Sequence, residues 1–189
     1  MKMWEQQIRD YKPYNEQEEK DKALIVGCMD TYDNLLTREN PLAHFSSSGF
    51  IVNKTRDKVL MIHHNIYNAW SWTGGHTDGE IDFLGVAIRE AQEETGVKEV
   101  RPISQEIFSL DVLPVKGHIK RGEYVSAHVH LSIAYLVEVD ETEELMIKPD
   151  ENSGVRWIAV DELDTYVDNE PDMLIVYKKF MEKIKEFKL

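Results

Sequence analysis

A single cysteine, Cys28, stands in the whole chain, so neither an internal disulfide nor a cysteine-based zinc cluster is available. Long apolar runs are missing too. The longest, Ala23 to Met29, has seven residues, far short of the roughly 20 that span a bilayer. The opening Met-Lys-Met-Trp-Glu-Gln-Gln lacks the apolar stretch of a secretory signal. Together these absences predict a cytoplasmic protein with no membrane partner. Internal repeats, low-complexity tracts and Gly/Ser/Pro-rich linkers are also lacking, which gives no reason to cut the chain into independent domains. Positive charge is scarce: 22 Lys and Arg against 35 Asp and Glu leave a net charge of −13. That balance argues against nucleic acid as a partner, and any phosphate-bearing substrate must be attracted by something other than net charge. What is present is ample for one folded domain, with 189 residues of which 42% are hydrophobic.

The first forty residues differ from the rest. Asn15 stands three positions before Glu18, the spacing of an N-cap and its reciprocal glutamate. A helical pattern continues toward Tyr32, and Thr37–Pro41 reads as a connection, so residues 1–40 are expected to form a helical extension packed on a main domain, 41–189. From His44 the pattern is strand-like. Phe50–Val52 and Val59–Ile62 are short apolar runs joined by a polar connection suited to a hairpin. Asn68–Thr73 leads into Gly74-Gly75, and a helix is predicted from Ile81 to Thr95, stopped by Gly96. Ile107–Val115, Tyr124–Val137 and Val155–Val160 read as further strands. Asp161–Leu163 opens a helical turn, and Pro171 begins a final amphipathic helix reaching Phe187. Strands and helices in mixed order predict an α/β or α+β layered domain.

Chemistry concentrates between Gly74 and Val97. At about 100° per residue, Leu84, Ala87, Ile88, Ala91 and Thr95 form the stripe expected to meet a sheet. Glu90, Glu93 and Glu94, related as i, i+3 and i+4, are neighbours on another side, with Arg89 on their flank. Three such carboxylates repel one another, and two sit at the negative end of the helix dipole. A bound divalent cation turns that liability into a site, and oxygen ligands suit Mg²⁺ or Mn²⁺ rather than zinc. The cation also bridges an acidic protein to an anionic diphosphate. A solvated acidic helix face is the other reading of the carboxylates alone.

The flanking residues decide between these. The segment resembles the Nudix box of the Nudix hydrolases: Gly, five residues, Glu, seven residues, Arg-Glu, an aliphatic residue, any residue, Glu-Glu, any residue, Gly, an aliphatic residue. Gly75, Arg89, Glu90, Ala91, Glu93, Glu94, Gly96 and Val97 match it, and weaker resemblance runs from His44 to about Leu163. One position departs. The family wants Glu six positions after the box's first Gly, at position 81, where this chain has Ile81 between Glu80 and Asp82, so the loop would place Glu80 one residue early. The resemblance implies an α/β/α sandwich with a mixed sheet. It implies that Glu90 and Glu94 bind metal together with the main-chain carbonyl of Gly74. Glu93 would bind a second metal, or position or deprotonate the attacking water, and Arg89 would orient a glutamate. The implied reaction is Mg²⁺-assisted hydrolysis of a phosphoanhydride in a nucleoside diphosphate linked to another group, or a related diphosphate. Two alternatives share the fold. One is a non-cleaving nucleotide or sugar-nucleotide sensor, for which only Ile81 speaks. The other is isopentenyl diphosphate isomerase, which uses a cysteine, whereas Cys28 precedes the fold core. Family members are commonly dimers, and a homodimer through the N-terminal helices is one expectation.

Outside the box, Lys116–Gly122 is the most basic stretch. Its functional reading is a substrate clamp through Lys120 and Arg121; its plain reading is a solvated hairpin connection. His76 follows the glycines directly and is a candidate contact to the diphosphate. His128 and His130 share a strand face, either bordering the pocket or acting with Glu90, or as satisfied, partly buried histidines, and they are not read as metal ligands. Glu151 offers a further carboxylate or plain loop polarity. Trp70, Trp72 and Trp157 suit either nucleobase stacking or the core.

Overall fold

The computed structural model describes residues 2–120 and 122–189. Two helices come first, α1 (Met3–Asp10) and α2 (Glu16–Thr31). The Asn15 side chain accepts the Glu18 amide at 3.0 Å, the expected N-cap. Glu18 does not return the bond to Asn15; its carboxylate takes the Tyr14 amide instead and is fully buried.

The sheet is built on β1 (Ala43–Val52), which pairs in parallel with β9 (His128–Glu138) on one edge. The other edge of β1 is shared by β4 (Thr73–His76), opposite Ser46 to Gly49, and by β2 (Lys58–His64), opposite Ile51 and Val52. Beyond β2 lies β10 (Asn152–Ala159), while β3 (Ala69–Ser71) pairs with the other edge of β2, past the end of β1; beyond β9 lie β5 (Arg101–Pro102) and β6 (Ser109–Val115). All pairings other than β1 with β9 are antiparallel, so the sheet is mixed. The run expected as one strand from Tyr124 is broken at residues 126–127. Its start, β8 (Glu123–Val125), turns back on β7 (His118–Lys120) as a separate ribbon.

Strand alternation directs β1 to two cores. Phe45 and Ile51 join Trp4, Ile8, Ile25, Phe83, Ala87 and Ala91 on one face, under α1, α2 and α3 (Phe83–Thr95). Phe50 and Val52 join Val176, Tyr177 and Phe180 on the other, under α5 (Pro171–Phe187). A 3₁₀ turn and the short helix α4 (Leu163–Tyr166) precede α5. The expected α/β/α sandwich is the observed one. The largely polar helices α1 and α2 add Trp4, Ile8 and Ile25 to one of its layers.

α5 carries an unexpected polar seam. Lys179 and Lys183, both about 4% exposed, reach into the interior. Lys179 Nζ lies 2.5 Å from Asp111 and 3.2 Å from Glu18; Lys183 Nζ lies 3.0 Å from Glu18. Tyr11 and Ser109 donate to Glu18 as well, and Lys183 donates to the Phe108 carbonyl. Burial works against the Glu18 carboxylate's charge, yet Tyr11 and the two lysines outweigh it and hold its pKa below the ordinary value. The cluster ties α2, β6 and α5 together.

Candidate active site

α3 begins two residues later than its pattern suggested, at Phe83, because Asp82 caps it by accepting the Gly85 amide. It ends at Gly96, whose φ of 78° is the left-handed C-cap. Its buried face is Phe83, Val86, Ala87, Ala91, Glu94 and Thr95, with Leu84 and Ile88 only half-buried. The stripe is thus rotated toward the acidic side, and Glu94 is carried into the interior.

β4 faces these carboxylates. The Gly74 amide donates to Glu94 Oε2 at 3.0 Å. Glu94 is 3% exposed, and burial raises its pKa to about 8 despite that bond, with Glu90 and Glu151 adding to the rise. Glu90 is mostly buried and is also raised, by burial first and by Glu93 second. A Cβ on Gly75 would stand 2.5–2.8 Å from the Glu90 carboxylate, so only glycine lets strand and glutamate approach this closely. Glu93 stays exposed and pairs with Lys148 at 3.0 Å; Lys148 also holds Glu151 at 3.1 Å. Glu151 therefore belongs to the acidic neighbourhood rather than to open loop. Arg89 grips Glu80 with two bonds of 2.8 and 3.0 Å, and lies 3.9 Å from Glu90 and 4.0 Å from Glu93. Glu80 thus reaches the arginine from one position earlier, while Ile81 is 58% exposed.

A glycine strand end, a capped helix and a ring of carboxylates at box spacing now stand together in one sandwich. The NUDIX domain model matches residues 43–183. The chain belongs to the NUDIX family. By that membership it is a hydrolase of pyrophosphate bonds. An RNA pyrophosphohydrolase from Pelagibacter ubique is 31% identical over 145 residues, covering 73% of this chain and 89% of the relative. Among solved structures, an Ap4A hydrolase from C. elegans aligns with TM-score 0.54 at 15% identity, over 75% of this chain and 98% of its own. A NUDIX hydrolase from Clostridium perfringens aligns with TM-score 0.52 at 23% identity, over 75% and 97%. The two structures share the fold.

NUDIX enzymes generally use divalent metals, and the oxygen set here fits one. Glu94 is buried and Glu90 mostly so, and both pack against the strand end where the Gly74 amide reaches Glu94 and a Cβ on Gly75 would meet Glu90. Of the expected clamp, Lys120 ends β7, on the ribbon apart from the main sheet, and Arg121 lies outside the described residues. His76 ends β4, where its ring lies 4.9 Å from that of His44 and 4.8 Å from that of His130. Trp72 packs on Tyr177 and Phe180 and is core. Trp70 sits edge-on to His63 and Tyr166, and Trp157 packs against the core beneath α3.

Four residues near the box were not singled out in the sequence. Lys148 had no motif around it. Asn152 donates to the Glu94 carbonyl at 2.9 Å and pins the helix end to β10. Arg38 donates two hydrogen bonds to Asp78, at 2.8 and 2.5 Å, within electrostatic reach of Glu90. His44 is buried on β1; its alternation with Ser46 and Ser48 was the only signal. A groove lined by Tyr11, Tyr14, Phe108, Glu182 and Lys183 lies elsewhere and contains none of the box carboxylates.

Proposed function

We propose that this NUDIX enzyme is a Mg²⁺-dependent (or Mn²⁺-dependent) pyrophosphohydrolase of a nucleoside diphosphate linked to another moiety. The observation that carries the reading is the closure of Gly74 and Gly75 onto Glu94 and Glu90. Glu90, Glu94 and the Gly74 carbonyl would hold the cation, and Glu93 would assist at a second one. When bound, the cation neutralises phosphoanhydride charge and acidifies water. Glu93, on the solvent side, would take the proton of the attacking water, with the mostly buried Glu90 as its neighbour. Arg89, fixed by Glu80, steers Glu90 and Glu93 through its guanidinium. Lys148 holds Glu93 in one orientation and offsets its charge while the site awaits substrate.

The substrate class draws support from two relatives whose names both describe cleavage beside a nucleoside, RNA pyrophosphohydrolase and Ap4A hydrolase. The −13 net charge favours a small, cation-bridged substrate over a long RNA. Lys120 and Arg121 remain proposed substrate contacts.

The test is product release from a panel of dinucleoside polyphosphates, nucleotide sugars and 5′-triphosphate RNA, with and without Mg²⁺. Cleavage should need the metal and should fall by orders of magnitude in Glu93→Gln and in Glu94→Gln, with the fold unchanged by circular dichroism. Full activity in both variants would overturn the assignment. Cleavage of the RNA alone would move the substrate to nucleic acid ends.

A further inference from the structure

The three strands β1, β4 and β9 bring four histidines to one face of the sheet. β1 and β9 run parallel with His44 opposite His130. His128 lies two residues before His130 and shares its face. β4 sets His76 opposite Ser46, the next residue on the same side of β1 as His44. This face is not the one that carries the acidic helix, because Ser47, at an intervening position, donates to the Phe83 carbonyl of α3. One ring nitrogen from each histidine lies within 4.8 Å of those of the other three. The His44 ring is 4.9, 4.7 and 5.1 Å from the rings of His76, His128 and His130.

Two of these rings already hold the tautomer of a metal ligand. His44 Nδ1 lies 3.2 Å from the Asn40 carbonyl oxygen, and His128 Nδ1 lies 2.8 Å from that of Ser126. A carbonyl only accepts, so each Nδ1 carries the proton and each Nε2 presents a lone pair. Backbone carbonyls orient metal-bound imidazoles in the same way. His44 is 5% exposed and its Nε2 has no hydrogen-bond partner, a vacancy that costs about 1–3 kcal/mol in an ordinary core.

We propose that His44, His76, His128 and His130 form a second, all-imidazole metal site, separate from the carboxylates of the box, that takes Zn²⁺ or a similar first-row cation. Imidazole nitrogen suits Zn²⁺, Co²⁺, Ni²⁺ and Cu²⁺, whereas Mg²⁺ and Ca²⁺ take oxygen. A tetrahedron with metal–nitrogen bonds of about 2.0–2.1 Å has edges of about 3.3 Å, so the four rings need only small rotations to close on an ion. Asp78 and Arg38, an ion pair, both stand within electrostatic reach of His44 and leave the four-imidazole set without a net charge beside it. The ion would staple β1, β4 and β9. Because His76 follows Gly74 by two residues, it would also fix the strand end that faces Glu90 and Glu94. The site is proposed on its own geometry and does not depend on which diphosphate is cleaved.

The experiment uses the full chain, stripped of metal with a chelator and titrated with Zn²⁺, and with Co²⁺ as a coloured probe. The expected result is one Zn²⁺ per chain that survives in the Glu90→Gln/Glu94→Gln double variant, with a nitrogen-only shell by X-ray absorption. The Co²⁺ form should show the visible absorption of a tetrahedral nitrogen site. His76→Gln and His128→Gln, at partly buried positions, should each weaken Zn²⁺ binding by about tenfold or more, while metal-free melting curves verify that they fold. A shell of carboxylate oxygens, loss of Zn²⁺ in the double glutamate variant, or no binding would each overturn the proposal. The X-ray absorption of the unaltered protein decides the ligand type even if a histidine variant fails to fold.

Discussion

Arg89 illustrates how a single side chain organises this site. Its guanidinium spends its two short bonds on Glu80 and leaves longer contacts to Glu90 and Glu93. The arginine's planar fork matches a carboxylate in a way that a lysine cannot. We propose that Glu80 does the supporting work that the box assigns to the next position, where Ile81 is exposed. Steady-state kinetics should show Glu80→Ala lowering turnover by about tenfold or more, and Ile81→Ala changing it by less than about twofold. The reverse ranking would place the support at position 81. Gly75 makes a second residue-scale case. Alanine there puts a methyl against the Glu90 carboxylate, so Gly75→Ala should cost about 1–3 kcal/mol in urea unfolding and abolish most activity. Wild-type turnover in that variant would show that the strand and Glu90 need not be so close.

Among the elements, α3 is specified most completely. Asp82 starts it, Gly96 stops it, and Asn152 holds its last turn. Gly96 combines a φ of 78° with a neighbour, Met146, whose Cβ would lie 2.7 Å from an added methyl. Gly96→Ala should lose about 1–2 kcal/mol from the left-handed backbone alone, and more from the clash, read as a lower denaturation midpoint. Its C-terminal end at Gly96 was legible because capping chemistry is local, whereas its start was expected two residues early. The rotation of its buried face was not: the hydrophobic period fits a stripe through Leu84 and Ile88, and the approach of β4 draws Glu94 inward instead. α5 was legible in extent for the same local reasons, through Pro171. Its buried lysines were not, because an amphipathic pattern counts lysine as surface and takes no account of Glu18 and Asp111 from distant strands and helices.

For the whole molecule, the Glu18–Lys179–Lys183–Asp111 cluster links the first helices to the last. Tyr11 completes its ring of titratable groups. Removing one partner leaves a buried charge unpaired, at a cost of about 3–5 kcal/mol, so Glu18→Gln should unfold at clearly lower denaturant. The pH dependence follows from the depressed Glu18 pKa. A carboxylate bound more weakly to protons when folded contributes stability above its unfolded pKa, near 4.5, and loses it as pH falls through the folded value. Thermal melts should therefore drop below about pH 4.5, and Glu18→Gln should flatten that drop; an equal drop in both proteins would remove Glu18 as its source. Deleting residues 1–40 strips Trp4, Ile8 and Ile25 from the core under α3. The shortened chain should melt well below the intact one or aggregate, and an unchanged melting temperature would show that the sandwich stands without its extension.

Sequence alone pointed to the class of chemistry through the spacing of Gly75, Arg89, Glu90, Glu93, Glu94 and Gly96, which resembles the box, whereas the three carboxylates by themselves also suit a solvated helix face. It also determined where α3 stops and the alternation of strands, which are set by neighbouring residues. Tertiary structure decided which glutamate is buried and which is solvated, that Lys148 and Arg38 attend the box, and that Lys179 and Lys183 lie inside. It also decided that four histidines spread over positions 44 to 130 share one patch of sheet. Those facts depend on the parallel register of β1 with β9 and on β4 folding back along β1. Such pairings join residues far apart in the chain, and no local pattern records them.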